Sequence, residues 1–266
     1  MSLDFVLPMS GSFPGAWWLL HDKFGDPEDR LARVAEDKIS AMGVIAYTDD
    51  DGKLAGNGTA WAVAPRVWVA NSALVLAVEM VMALGSDCFI VVKTEAGTQR
   101  LRITGTRLHP DGDLDSVFGE EGLPLVMPYD ASLLITELDG PDWFELASEA
   151  ELEGLAVSDP VGTMGFTRKT SLESPWARTA FGRIVQLSDP RLEPIDSGDP
   201  VVIRHTLFVE PHMRGGPIFR PDGKVVGILT IPMVSEVDPN AAGSASGKYG
   251  LRIDVLRSVW SDYPRD

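Results

Sequence analysis

The sequence predicts an all-β protein built of successive hairpins, with one helix before the first of them. β-rich segments are paired across turn sequences in three places, at residues 43–63, 89–104 and 217–229. This pattern is typical of successive hairpins. A length of 266 residues is enough for one domain of two lobes or for two small domains.

The composition limits the classes of partner. Lys and Arg number 23 against 39 Asp and Glu, giving a formal charge of −16. Such a charge disfavours a phosphate backbone or an anionic membrane surface, so we expect neither nucleic acid nor membrane as a partner. The start of the chain, Met1–Phe5, has no basic stretch leading into an apolar core. We therefore expect a cytoplasmic location and regard the periplasm as the less favoured alternative.

Neither a metal nor a cofactor is expected. The single cysteine, Cys88, stands beside Asp87 and has no adjacent base, so we interpret it as structural. Asp111, Asp113 and Asp115 alternate as in a calcium loop, but an EF-hand would need Gly and Glu where this chain has serine and glycine. A solvated loop is the main interpretation of these three aspartates, and an irregular calcium loop is the alternative.

The first predicted elements are a helix and a hairpin. Asp26 is a plausible N-cap followed by Pro27, and Leu31, Val34, Ala35 and Ile39 form an apolar stripe at helical spacing. Before this helix, we interpret Trp17-Trp18 as apolar residues that anchor the N-terminal extension to the rest of the protein. An interface patch is the alternative. The first hairpin pairs 43–47 with 56–63.

The next elements are a strand, an apolar run and a second hairpin. Residues 67–75 form the strand, and 89–93 pairs with 100–104. The apolar run at 73–84 is too short for a membrane span and is interrupted by Glu79, so we predict that it is buried core. Residues 138–150 read as the link between the lobes.

The third hairpin carries the motif around which the chain is organised. Gly215-Gly216-Pro217 precedes a β-rich run, and Pro221-Asp222-Gly223 forms the turn. This resembles the hairpin of trypsin-like serine proteases that presents the catalytic serine, with Arg214 in the place of that serine. Residues 67–75 resemble the strand that leads to the catalytic histidine, most closely in the high-temperature-requirement (Deg-type) branch.

The resemblance extends in order over residues 40 to 260. Residues 128–135 resemble the family's aspartate strand. Residues 157–166 resemble the opening of its second barrel, with Ser158 in place of a glycine, and 248–256 resemble its closing strand and the start of a C-terminal helix. The resemblance implies a chymotrypsin-like double six-stranded β-barrel, with an N-terminal extension and helix at 1–39, a first barrel at 40–140, and a second barrel with the C-terminal helix at 141–266.

The resemblance implies a degenerate triad. The histidine position falls on Ala73, the serine position on Arg214 and the aspartate position on Asp130. Neither alanine nor arginine can serve as base or nucleophile. His212 replaces a glycine at the oxyanion turn, which we expect to be reshaped. The base of the pocket for the P1 residue falls on Phe208, so we expect that pocket to be filled or apolar.

A buried aspartate without its histidine would be an unpaired charge costing several kcal/mol. An arginine has the reach and the planar fork to fill the vacated space. We therefore predict that Arg214 turns inward and pairs with Asp130.

Three functions are consistent with these residues. The first is a non-catalytic pseudoprotease that binds a peptide or protein partner in the vacated cleft, with Phe208, Arg214, Gly215 and Gly216 as candidate binding residues. The second is a divergent serine-type endopeptidase with relocated catalytic residues, for which His205 and His212 are candidates. The third is a sensor module of a larger assembly.

Overall fold

The structure, a computed structural model, contains two closed β-barrels of six strands each. It describes residues 25–49, 51–111, 127–193, 195, 201–230 and 249–264. Strands β1 to β6 form the first barrel and span Met42–Thr48, Leu54–Ala64, Val67–Ala70, Cys88–Thr94, Gly97–Arg107 and Ser132–Thr136. Strands β7 to β12 form the second and span Pro160–Gly165, Arg178–Ser188, Val202–His205, Pro217–Phe219, Val225–Thr230 and Tyr249–Arg252.

All strand pairs are antiparallel, and the two barrels close in the same way. The first has the order β1-β2-β3-β6-β5-β4 and the second β10-β11-β12-β9-β8-β7. The predicted all-β double barrel is therefore confirmed. Within the described ranges, no helix is long and apolar enough to span a bilayer.

Helices flank the barrels. They are α1 at Pro27–Asp37, α2 at Ser72–Ala83 and α3 at Glu149–Glu153, with 3-10 helices at Ile39–Ala41, Pro211–Met213 and Ile253–Ser258. The predicted cap of α1 is confirmed, because Asp26 accepts a hydrogen bond from the N–H of Glu28 at 3.1 Å. The predicted C-terminal helix is the 3-10 helix Ile253–Ser258.

Helix α2 corrects one expectation. The apolar run at 73–84 was predicted to be buried core, but only one side of the helix is buried, through Val75 and Val78. Leu76, Met80 and Leu84 are 40%, 62% and 85% exposed. The reason is the helical period, which turns only one face of an all-apolar segment toward the barrel.

The link between the barrels is packed into the interface. Phe144 lies between Trp61 of β2 and Phe219 of β10, with ring centroids 5.7 Å and 6.1 Å away. All three rings are fully buried. Leu146 adds a parallel bridge to Val225 of β11. These contacts of the link hold the two barrels together.

One replacement has a backbone consequence. Ser158, which stands where the resemblance has a glycine, adopts φ +81°. This is the left-handed region in which glycine is the favoured residue.

Trp17-Trp18, Asp113 and Asp115 lie outside the described residues. In the part of the chain that is described, no group of three histidine, cysteine or acidic side chains could hold a metal ion.

Candidate functional site

The hairpin of the candidate site requires its glycines. Gly215 has φ +84°, and a Cβ there would also lie 2.8 Å from the backbone nitrogen of Asn71. A Cβ on Gly216 would collide with the carbonyl of Met164. Side chains are therefore excluded from this turn by backbone conformation and by the close approach of two other segments.

Arg214 turns inward from this hairpin and pairs with Asp130. Its Nε donates to Asp130 Oδ2 at 2.8 Å, and its Nη2 lies 2.7 Å from the same oxygen. The Asp130 side chain is 0% exposed and the Arg214 side chain 19% exposed. The ion pair predicted from the sequence is confirmed. Nη2 also contacts Met127 Sδ at 3.7 Å.

Two more donors complete the surroundings of the carboxylate. The backbone N–H of Ser72 donates to Asp130 Oδ1 at 3.1 Å, and Thr230 Oγ1 donates to Oδ2 at 2.9 Å. Burial raises the pKa of Asp130, while the charge of Arg214 and these hydrogen bonds act in the opposite direction. Since these partners act as donors, the arrangement suits an ionised carboxylate.

The turn before Arg214 is a closed 3-10 helix. The N–H of Arg214 donates to the carbonyl of Pro211 at 3.3 Å, and the N–H of Met213 donates to the carbonyl of Glu210 at 2.9 Å. His212 thus lies at the centre of a 3-10 turn, and its effect as the replacement of a glycine stays a prediction. The Arg214 N–H is already used inside the turn, so it does not stand ready for an oxyanion.

Side chains of the first barrel hold this turn from the other side. Thr59 Oγ1 donates to the carbonyl of His212 at 2.9 Å, and Trp61 Nε1 donates to the carbonyl of Gly215 at 2.9 Å. Asn71 Nδ2 lies 3.5 Å from the Arg214 carbonyl. The closed conformation is thus stabilised by contacts between the barrels.

Comparison with known structures identifies the fold. No protein-family model and no curated protein matches the sequence. Among solved structures, Deg5 matches with TM-score 0.56 and 13% identity, covering 88% of this chain and 94% of that one. The chain has the chymotrypsin-like fold of the Deg-type proteases.

Two other structures share this chymotrypsin-like fold. The MamO protease domain of Magnetospirillum magneticum, in its apo form, gives TM-score 0.53 at 12% identity and covers 83% of this chain and 96% of that one. The Rv3671c protease of M. tuberculosis H37Rv, in an inactive form, gives 0.55 at 16% identity, covering 89% and 95%.

The remaining predicted positions occupy distinct places on the chymotrypsin-like fold. Ala73 is exposed in the first turn of α2, directly after Ser72, whose N–H binds Asp130. His212 is half-buried in the 3-10 turn, and His205 is buried on β9. Phe208 is 75% exposed, so it does not form the floor of a closed pocket as predicted. It lies in the segment between β9 and the turn, where its ring faces solvent, and its role in binding stays a prediction.

A contact between a serine and a histidine lies outside the predicted site. Ser258 Oγ is hydrogen-bonded to His109 Nε2, and Asp111 Oδ2 lies 3.9 Å from His109 Nδ1. His109 Nδ1 accepts the N–H of Asp111 at 3.1 Å, so the ring proton belongs on Nε2 and is donated to Ser258. Ser258 donates in turn to the Val255 carbonyl at 3.2 Å.

A histidine that donates a hydrogen bond to a serine does not act as its base. The hydrogen-bond directions at His109 and Ser258 therefore indicate a structural contact and not an activated nucleophile. This contact joins the segment that follows β5 of the first barrel to the C-terminal 3-10 helix. Burial lowers the pKa of His109, which keeps the ring neutral.

Sequence reasoning missed several residues that shape the site. Thr230 ends the apolar run of β11, and a polar residue closing a buried strand was the available signal. Ser72 stands next to the histidine position and binds Asp130 through its backbone, which no side-chain pattern reveals. Thr59 and Trp61 act on the hairpin across more than 150 residues of sequence, and only the closed barrels bring them there.

Proposed function

We propose that this chain is a non-catalytic pseudoprotease that binds a peptide or protein segment in the cleft of its chymotrypsin-like fold. The observation that carries the proposal is the ion pair of the Arg214 guanidinium with Asp130, at 2.7 Å. The resemblance to trypsin-like proteases assigns the nucleophile position to Arg214.

The positions that the resemblance assigns to the triad do not meet the requirements of acyl transfer. Acyl transfer on this fold needs a nucleophile, a base with its orienting carboxylate, and backbone donors for the oxyanion. Arg214 and Ala73 supply neither nucleophile nor base. Asp130 is neutralised by the arginine, and the Arg214 N–H is used by Pro211. All of these features argue against cleavage by this site.

Binding needs accessible surface beside the turn, and the chain offers it. Phe208 provides an exposed aromatic ring two residues before Glu210, which begins the 3-10 turn. Exposed aromatic side chains are frequent anchors for peptide partners. Gly215 and Gly216 are buried, and we include them with Arg214 in the proposed site because they shape the hairpin that carries it.

The test is capture of peptides without change to them. A pool of peptides from dephosphorylated casein is incubated with the protein, and the bound fraction is separated by size exclusion and identified by mass spectrometry. The proposal expects reproducible retention of a subset of intact peptides, reduced in a Phe208→Ala variant. A Trp176→Ala variant, which also removes an exposed aromatic ring, serves as the matched control. Retention of no peptide, or steady conversion of the pool into shorter products, contradicts it.

The second candidate is a divergent serine-type endopeptidase, which would require Ser258 to donate to His109 Nε2, the reverse of the direction in which this contact is made. Ser258 is exposed, as a nucleophile would have to be. This candidate predicts that cleavage of the casein pool survives repurification and disappears in Ser258→Ala. The first candidate predicts that Ser258→Ala changes nothing in the pool.

A further inference from the structure

We propose that Arg214 is the contact point for a carboxylate of the bound peptide, supplied either by its C-terminus or by an Asp or Glu side chain. This inference rests on the proposed function and names the chemical group that the cleft selects. Its basis is the arrangement of donors around the Arg214 guanidinium.

The Arg214 guanidinium has five N–H donors, and three of them have partners in the protein. Nε and Nη2 face Asp130 Oδ2, and Nη2 also contacts Met127 Sδ. Among the described residues, Nη1 has no hydrogen-bond partner. Its two N–H groups are therefore the donors that remain for an acceptor on a ligand.

Arg214 is partly exposed and Asp130 is buried, so a ligand meets a positive charge. The Asp130 carboxylate is completely buried, and Ser72 and Thr230 bind it from within the protein. The Arg214 side chain is 19% exposed. A ligand entering the cleft therefore meets the cation first and is separated from the anion by it.

Charge complementarity then selects the ligand. The chain carries −16 overall, so an arginine that stays partly exposed at this point is a local exception that attracts an anion. A carboxylate is planar and singly charged, and its oxygens accept charge-assisted hydrogen bonds from guanidinium N–H groups. A dianionic phosphate would meet stronger repulsion from Asp130, because that carboxylate lies directly behind the same guanidinium.

The experiment uses the same pool of dephosphorylated casein peptides, divided into an untreated half and a methyl-esterified half in which all carboxylates are blocked. We expect esterification to reduce retention at least tenfold. A retained peptide is then synthesised with a free C-terminus and as the C-terminal amide, and its affinity is measured by fluorescence polarisation. Loss of affinity in the amide assigns the contact to the C-terminus, and its persistence assigns it to a side chain.

Two variants connect the effect to the arginine. Arg214→Lys keeps a charge but removes the fork, and it should lower the preference for the acid over the ester severalfold. Arg214→Gln should abolish the preference. The control is Arg102→Gln, since Arg102 also pairs with a carboxylate, that of Asp87, but on the surface of β5. It should leave the preference unchanged.

The outcomes separate this inference from the function beneath it. Equal retention of acid and ester peptides, with retention still dependent on Phe208, overturns the carboxylate contact and leaves peptide binding standing. Retention of neither half overturns both. A preference for the acid that is the same in wild type and Arg214→Lys also overturns the inference, because a lysine has no counterpart of the Nη1 donors.

Discussion

Replacement of Arg214 by glutamine tests the physical core of the site. The variant leaves the Asp130 carboxylate 0% exposed without the cation that neutralises it. Removal of one member of a buried ion pair costs about 3–5 kcal/mol. Asp130 keeps two donors, Thr230 and the N–H of Ser72. We therefore expect a loss at the lower end of that range, about 3 kcal/mol in the free energy of unfolding at pH 7.

The loss should depend on pH with a definite sign. Burial already raises the pKa of Asp130, and removal of Arg214 removes the main influence that opposes the rise. The folded variant then binds a proton at a pH where the unfolded chain, with an aspartate pKa of about 3.9, does not. Stability of the variant should therefore increase as pH falls from neutral through the raised folded pKa, and its deficit against wild type should shrink.

The assay is urea unfolding followed by tryptophan fluorescence at pH 7 and pH 5. A cycle with Asp130→Asn and the double variant isolates the coupling between the two side chains. Arg102→Gln, which breaks an exposed pair, should change stability by less than about 1 kcal/mol. A loss below about 0.5 kcal/mol for Arg214→Gln, within the range of surface substitutions, or a deficit that grows on acidification, would refute the reasoning.

Three further predictions follow from other contacts. Trp61→Phe leaves the Gly215 carbonyl without its donor and should cost about 1–3 kcal/mol by urea unfolding. The pKa of Glu151 is lowered to about 2, chiefly by the N–H of Ser148. Its stabilisation is present above the unfolded value of about 4.3 and is lost as pH falls toward 2, so Glu151→Gln should flatten the acid-denaturation curve there. Burial lowers the pKa of His109. Wild type should therefore lose stability as pH falls through about 6.5, and His109→Phe should lack that slope. Curves for wild type and variant that coincide would contradict either pH prediction.

The sequence predicted three hairpins because their turns carry local signals, and the resemblance to trypsin-like proteases predicted that the strands close into two barrels. Turn residues and alternating β-rich segments mark β1-β2, β4-β5 and β10-β11 without knowledge of the rest of the chain. It also predicted the pair of Arg214 and Asp130, because a buried carboxylate deprived of its histidine has few ways to remain paired. Charge balance is a strong constraint even when the path of the chain is unknown.

Features that depend on tertiary placement could not be predicted in the same way. The run at 73–84 is apolar on every side, so its composition does not tell which face of α2 meets the barrel. The exposure of Phe208 follows from the path between β9 and the turn. Thr59 reaches the His212 carbonyl only because two barrels close against each other.

Reaction of the wild-type protein with a fluorophosphonate probe tests the central claim most directly. It is read by mass spectrometry beside a variant with Arg214→Ser and Ala73→His together. We predict no labelled serine and no cleavage of casein in wild type, whether or not the variant gains labelling or cleavage. A single wild-type serine that is labelled and remains so after repurification would contradict it. If that serine were Ser258, the divergent endopeptidase would replace the pseudoprotease.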